Sequence, residues 1–193
     1  YHGVTGVQTC ALPILSMFSY CILLLPFYLL ARFLLIKRKK ITFGREATML
    51  LFFCYCVSIF SQTIIPDFWI GNGQLKFATT DAMRGNFIPF ATIHNYIEQL
   101  QGPIARIAFY NLAGNVVLFI PFGFFIPLLW KRFRSIGTML LLSFCIPLFI
   151  EGTQYFIGRS SDIDDVLLNA IAIFLGYGSY LLVNFIKIKR KRL

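Results

Sequence analysis

Few residues in this chain can do chemistry, and most of those that can fall in three short stretches. Asn111 and Asn115 stand four apart, so in a helix their carboxamides share one face, one turn from each other. Glu151 and Gln154 are neighbours in the same way. Arg159 follows, then Asp162, Asp164 and Asp165. Asn169 lies one turn past Asp165, and Asp165, Asn169, Ala172 and Gly176 keep the spacing of a single helix face.

These side chains admit three chemistries. Three aspartates and Glu151 are oxygen donors of the kind that hold Mg²⁺ or Ca²⁺. A carboxylate among other carboxylates can also act as acid or base on a lipid-linked substrate, though no Ser-His or Ser-Lys nucleophile pair accompanies it. The third is recognition alone: carboxamides, Arg159 and aromatic walls from Tyr155 and Trp130 would bind a polar headgroup or a peptide without reaction. Single Asn residues in apolar helices also serve packing, at about 0.6 kcal/mol per hydrogen-bonded pair, and Asp at a helix start commonly caps it. Glu151 needs more than packing, because an ionisable group in apolar sequence must be paired or protonated; Arg159 is its expected counter-ion. The five cysteines form no CxxC pair and the only histidines are His2 and His94, so neither a zinc site nor any cofactor is expected, and the thiols read as free and buried.

The elements that carry these residues are set by hydropathy. The chain has 193 residues, 58% hydrophobic and only 13% charged, which excludes a disordered chain and an ordinary soluble domain. Apolar runs long enough to span a bilayer occur at about 15–36, 47–65, 109–130, 136–157 and 166–187. The predicted fold is all-α, a polytopic membrane bundle of about five transmembrane helices forming one domain over 15–193. Interior Pro121, Pro127 and Pro147 are tolerable there, because neighbouring helices re-satisfy freed backbone groups. Residues 1–14 stand apart: Val4 to Ile14 resembles a translated sequencing adapter, no Met precedes Met17, and the stretch is expected to be non-native. No hydropathic repeat is evident, which disfavours a small-solute carrier built from duplicated halves.

Charge orients the spans. Of 18 Lys and Arg, thirteen lie after the first span, after the third, or in the tail, and positive residues stay on the cytoplasmic side. The N-terminus is therefore expected outside and the C-terminus inside the bacterial cytoplasmic membrane. The tail abutting the last span fits anionic lipid headgroups and not nucleic acid. On this topology Asn115 and Asn169 lie roughly 6 Å, and Glu151 roughly 9 Å, below the outer ends of their helices. An outward-facing polar pocket is expected at that depth. The outer loop at about 66–108 contains a turn at Gly71-Asn72-Gly73, the apolar turn Phe87-Ile88-Pro89-Phe90 and an amphipathic stretch from Thr92 to Leu100. That stretch is expected in the headgroup region or folded back on the helices.

Taken in order, Gly85-Asn86-Phe-Ile-Pro89-Phe90, Asn111-Leu-Ala-Gly114-Asn115-Val-Val-Leu-Phe119-Ile-Pro121-Phe-Gly123, Glu151-Gly-Thr-Gln154, Arg159 and Asp162-Ile-Asp164-Asp165-Val-Leu-Leu-Asn169 resemble the VanZ-like family over about 45–185. The resemblance implies a small polytopic bacterial membrane protein of the cell envelope, and adds Asn86 to the candidate site. Some members are associated with reduced susceptibility to glycopeptide antibiotics such as teicoplanin. It thus implies a protein that binds a lipid-linked cell-wall precursor or such an antibiotic. The alternative is an enzyme modifying an envelope lipid through Glu151 and the Asp162–Asp165 cluster. The Gly usual one turn after the last Asn is replaced by Ile173-Phe174, with Gly176 later.

Overall fold

The computed structural model describes residues 6–36, 42–64, 68–71, 74–77 and 85–190. Lys37 to Lys40, Asn72-Gly73 of the expected turn, and residues 191–193 lie outside the described residues. Five of the described helices are long and apolar enough to cross a membrane, matching the five spans expected. They divide between two compact units, one ending at Ile65 and the other starting at Pro66.

The first unit is an antiparallel hairpin of α1 (Gly6–Ile36) and α2 (Phe43–Thr63). Helix α1 runs back through most of the adapter-like stretch. Near the turn, Arg32 grips the Glu46 carboxylate with Nη2 at 2.6 Å from both oxygens and Nε at 3.1 Å. Two charges set in apolar helices are tolerable when paired bidentately in this way. Further along, Tyr28 stacks on Phe53 with ring centroids 4.4 Å apart.

The second unit begins with an antiparallel pair, β1 (Phe68–Gly71) and β2 (Gln74–Phe77). Next come β3 (Gly85–Asn86), the nine-residue α3 (Ala91–Gln99) and the spans α4 (Ala105–Leu129), α5 (Ile136–Phe156) and α6 (Ile163–Arg190), with β4 (Ser161–Asp162) just before α6. The two-residue strands β3 and β4 pair in parallel, Gly85 against Ser161 and Asn86 against Asp162. Helix α6 packs along both α4 and α5 and carries the longest run of buried residues, from Asp164 to Tyr180. Outward faces of the spans carry Leu, Ile and Phe, as lipid contact demands.

Small residues set the closest contact. A Cβ on Gly123 of α4 would collide with the Ile173 carbonyl, and one on Gly176 of α6 would collide with the Ile120 carbonyl. In lipid, where apolar side chains gain little by leaving their surroundings, such backbone approach is a principal source of helix association. Close packing in α6 is therefore present, carried by Gly176 in place of the earlier glycine, while Ile173 is fully buried.

Four of the five spans start earlier than their apolar runs, α5 alone starting where expected, at Ile136. Helix α6 begins at Ile163 because Asp164 and Asp165 add no hydropathy to its first turn while Asp162 caps it; α4 begins at Ala105, where Arg106 interrupts an otherwise apolar first turn. At the far end, Arg134 Nε donates to the Pro127 carbonyl at 3.0 Å and Tyr177 Oη donates to the Arg134 carbonyl at 2.7 Å, tying the α4–α5 turn to α6. Trp130 closes α4 at this end, so it is not a wall of any site near Glu151. Gly176→Ala is expected to destabilise the unit by about 1–3 kcal/mol through overpacking. Gly178→Ala, which meets open space, should leave stability unchanged or slightly raised. The apparent Tm of the detergent-solubilised variants decides between them.

Candidate functional site

Helix α3 poses a problem at its start. Its N-cap residue is Phe90, which has no side-chain oxygen and sits in the left-handed region at φ 67°. The first turn of a helix leaves N–H groups without intrahelical acceptors, and a bulky residue at positive φ costs roughly 1–3 kcal/mol. Asp164, in the first turn of α6, answers both. Its Oδ1 accepts from the Phe90 N–H at 2.6 Å, and its Oδ2 accepts from Thr92 at 2.8 Å and Ile93 at 3.1 Å. Thr92 and Ile93 are the positions an N-cap side chain would ordinarily serve. Asp164 is fully buried, so its charge is held by these donors and by the positive end of α3.

Asp162 does the matching work for α6. Its Oδ1 accepts from the Asp164 N–H at 2.9 Å, capping its own helix, while Oδ2 accepts from the Thr92 hydroxyl. Asn86 bridges these groups. Its Nδ2 donates to Thr92 Oγ1 at 2.9 Å and lies 3.4 and 3.5 Å from the two Asp162 oxygens, while its Oδ1 accepts from the Ile88 N–H at 3.2 Å in an Asx turn. The Phe87 ring folds back over Gly85 and meets Tyr155 edge-on, at 6.0 Å between centroids.

Glu151 joins α5 to this network. Buried five residues before the end of its helix, it accepts the Asp162 backbone N–H on Oε2 at 2.9 Å and is hydrogen-bonded by the Ser161 hydroxyl. In a capping box, the N-cap N–H is met by a Glu of the same helix; here the carboxylate comes from the preceding span. Helix α5 then ends in a Schellman motif. Gly158 takes φ 75°, its N–H donates to Tyr155, and the Arg159 N–H reaches back to the Gln154 carbonyl at 2.9 Å. That turn fixes Arg159 and Gln154, both half-buried, beside the network.

Asn115 belongs to a second link. Its Nδ2 donates to Asp165 Oδ1 at 2.6 Å, so α4 is level at this point with the first turn of α6. Asn169 lies one turn deeper than Asp165, and Asn115 lies ten residues into α4, roughly 15 Å by helical rise. The common depth expected for Asn115 and Asn169 is thus replaced by pairing of Asn115 with Asp165, because α4 extends farther at this end than its apolar run. Asn169 itself is 4% exposed, and its Oδ1 is a buried side-chain oxygen with no hydrogen-bond partner among the described residues. Asn111 sits on α4 one turn before Asn115, its side chain outside the described residues.

The carboxylates are arranged for donors. Among the described residues no group of three or more His, Cys, Asp or Glu side chains has the geometry to hold a metal ion. The oxygens of Asp162 and Asp164 point at N–H groups and a hydroxyl. Sequence spacing missed Thr92 and Ser161, which complete the network. The one available signal was the lack of Ser, Thr, Asp or Asn at position 90, which leaves the start of α3 in need of an acceptor from elsewhere.

The chain matches the VanZ/LLP1 family over residues 52–184. It is also similar to an uncharacterised membrane protein, YwnJ of Bacillus subtilis (strain 168). The two are 43% identical over 63 residues, 32% of this chain and 45% of that protein. No solved structure matches.

Removing the remote cap gives a direct test of the geometry. Asp164→Ala forfeits hydrogen bonds to a charged group worth about 1.5–3 kcal/mol. Amide exchange at Phe90, Thr92 and Ile93 should then rise by roughly tenfold to a hundredfold, while the interiors of α4 and α6 stay protected. Mass-spectrometric hydrogen exchange on the purified protein reads both regions.

Proposed function

The chain belongs to the VanZ/LLP1 family, and from that premise we propose that it is a multi-pass protein of the bacterial cytoplasmic membrane. In this reading its polar end, built from α3, α4, α5 and α6, faces outward. There it binds the head of a lipid-linked cell-wall precursor or a glycopeptide-type antibiotic without altering it, and so lowers glycopeptide susceptibility. The orientation rests on the one-sided distribution of Lys and Arg.

One observation carries recognition over catalysis. Among the described residues Asn169 Oδ1 is a buried acceptor without a donor, a state that costs about 1–3 kcal/mol. A ligand hydroxyl, amide or ammonium group supplies the missing donor. The neighbouring acids support the same reading, since Asp162, Asp164 and Glu151 are engaged in holding backbone and hydroxyl groups, whereas acid–base chemistry needs a carboxylate free to exchange its proton with substrate. Asn115, Gln154 and Arg159 supply further polar contacts around the ligand, and the rigid network keeps them in place.

The experiment compares glycopeptide susceptibility of a host expressing equal membrane amounts of each variant, with mass spectrometry of its envelope lipids. Asn169→Leu removes the orphan oxygen, so it should fold as stably as the parent or more so, yet lose most of the protection. Envelope lipids should carry no new species. A modified lipid that disappears with Glu151→Gln would overturn the binding reading in favour of an enzyme acting through Glu151 and the aspartates. Reporter fusions test the orientation separately: a cytoplasmic reporter joined at Arg134 should be active, and activity of an extracytoplasmic reporter there would place the polar end on the inner side.

A further inference from the structure

Helix α3 is held at both ends by spanning helices. Its first turn is bonded to Asp164 in the first turn of α6, and its last residue, Gln99, lies six positions before the start of α4. The Asn115–Asp165 bond sets the first turn of α6 beside α4 at a point ten residues into that helix. A nine-residue helix whose start is bonded to the first turn of a span therefore has that start at the end of the span, at the bilayer boundary.

Its side chains suit that level. No residue of α3 is buried. The polar side carries the exposed pair His94 and Glu98, 3.1 Å apart. On the apolar side Ile97 is 49% exposed, and the preceding turn exposes Phe87, Ile88 and Phe90 by 66%, 69% and 63%. Ile104, just before α4, and Ile107, in its first turn, are exposed as well, as are the Leu, Ile and Phe side chains along the spans. The left-handed backbone at Phe90, fixed by Asp164, keeps the turn in the shape that presents these side chains.

We propose that residues 87–100 form an interfacial anchor, in which Phe87, Ile88 and Phe90 insert among the upper acyl chains of the adjoining leaflet while α3 lies in the headgroup plane with His94 and Glu98 toward water. An amphipathic helix in this position buries its apolar side at the boundary between headgroups and acyl chains. The inference is independent of which leaflet is involved and of what the polar site binds.

The test adds a tryptophan at Ile88, or at Ile97 if the first variant does not fold, and another at Glu98 on the polar side, with the parent chain as reference. Each protein is reconstituted into phosphatidylcholine vesicles brominated either high on the acyl chain or near the bilayer centre. The emission added by Ile88→Trp or Ile97→Trp should be blue-shifted, mostly lost to shallow bromine, less affected by deep bromine and little affected by acrylamide. Glu98→Trp should show the reverse, with acrylamide the stronger quencher. Strong acrylamide quenching at position 88 or 97 without bromine quenching would overturn the proposal by placing the patch in water. Protection from both quenchers would overturn it by showing that protein covers the patch.

Discussion

A single buried carboxylate organises the polar end of the second unit. Asp164 takes three N–H groups from the start of a helix more than seventy positions earlier, while its own N–H is held by Asp162, whose N–H is in turn held by Glu151. Three spans or loops thus meet through a chain of acceptor and donor in which each acid satisfies a helix start. Hydrogen bonds to a carboxylate are among the stronger ones available, and a buried carboxyl group surrounded by donors keeps in the interior the partners that water would otherwise supply. The left-handed turn at Phe90, the Asx turn at Asn86 and the β3–β4 pair all sit within that arrangement.

That arrangement depends in turn on how closely α4 and α6 can approach. With glycine at 123 and 176 the two backbones meet almost directly, and this sets the height at which Asn115 reaches Asp165. Lipid offers little reward for burying leucine against leucine, so helix register here is fixed by small residues and by a few polar pairs. The Asn169 oxygen, unpaired among the described residues, lies between these two kinds of contact, below the acid network and above the glycine crossing.

Much of this was legible in the chain, and the remainder was hidden for a physical reason. Long apolar runs marked the five spans because the bilayer demands about 20 such residues, and the Asp165, Asn169, Ala172, Gly176 spacing marked the inward side of α6. Asp162 as a helix cap is a local event and could be read from position alone. Asp164 as the cap of α3 could not, since it acts on a turn remote in sequence and spacing within one helix says nothing about its partner in another. The same applies to Thr92, an unremarkable residue until Asn86 and Asp162 are placed beside it. The early starts of α4 and α6 escaped because a hydropathy window registers what lipid sees and not where helical geometry begins.

The distance along the chain between Phe90 and Asp164, 74 positions, also bears on how the protein is made. Synthesis delivers β3 and α3 first, and the strand and acceptors that complete them arrive only with β4 and the opening turn of the final helix. Until that helix has entered the membrane, the start of α3 lacks its cap and β3 lacks its partner. The polar end is therefore the last part of this unit to mature, and a chain released before Ser161 carries α4 and α5 without it.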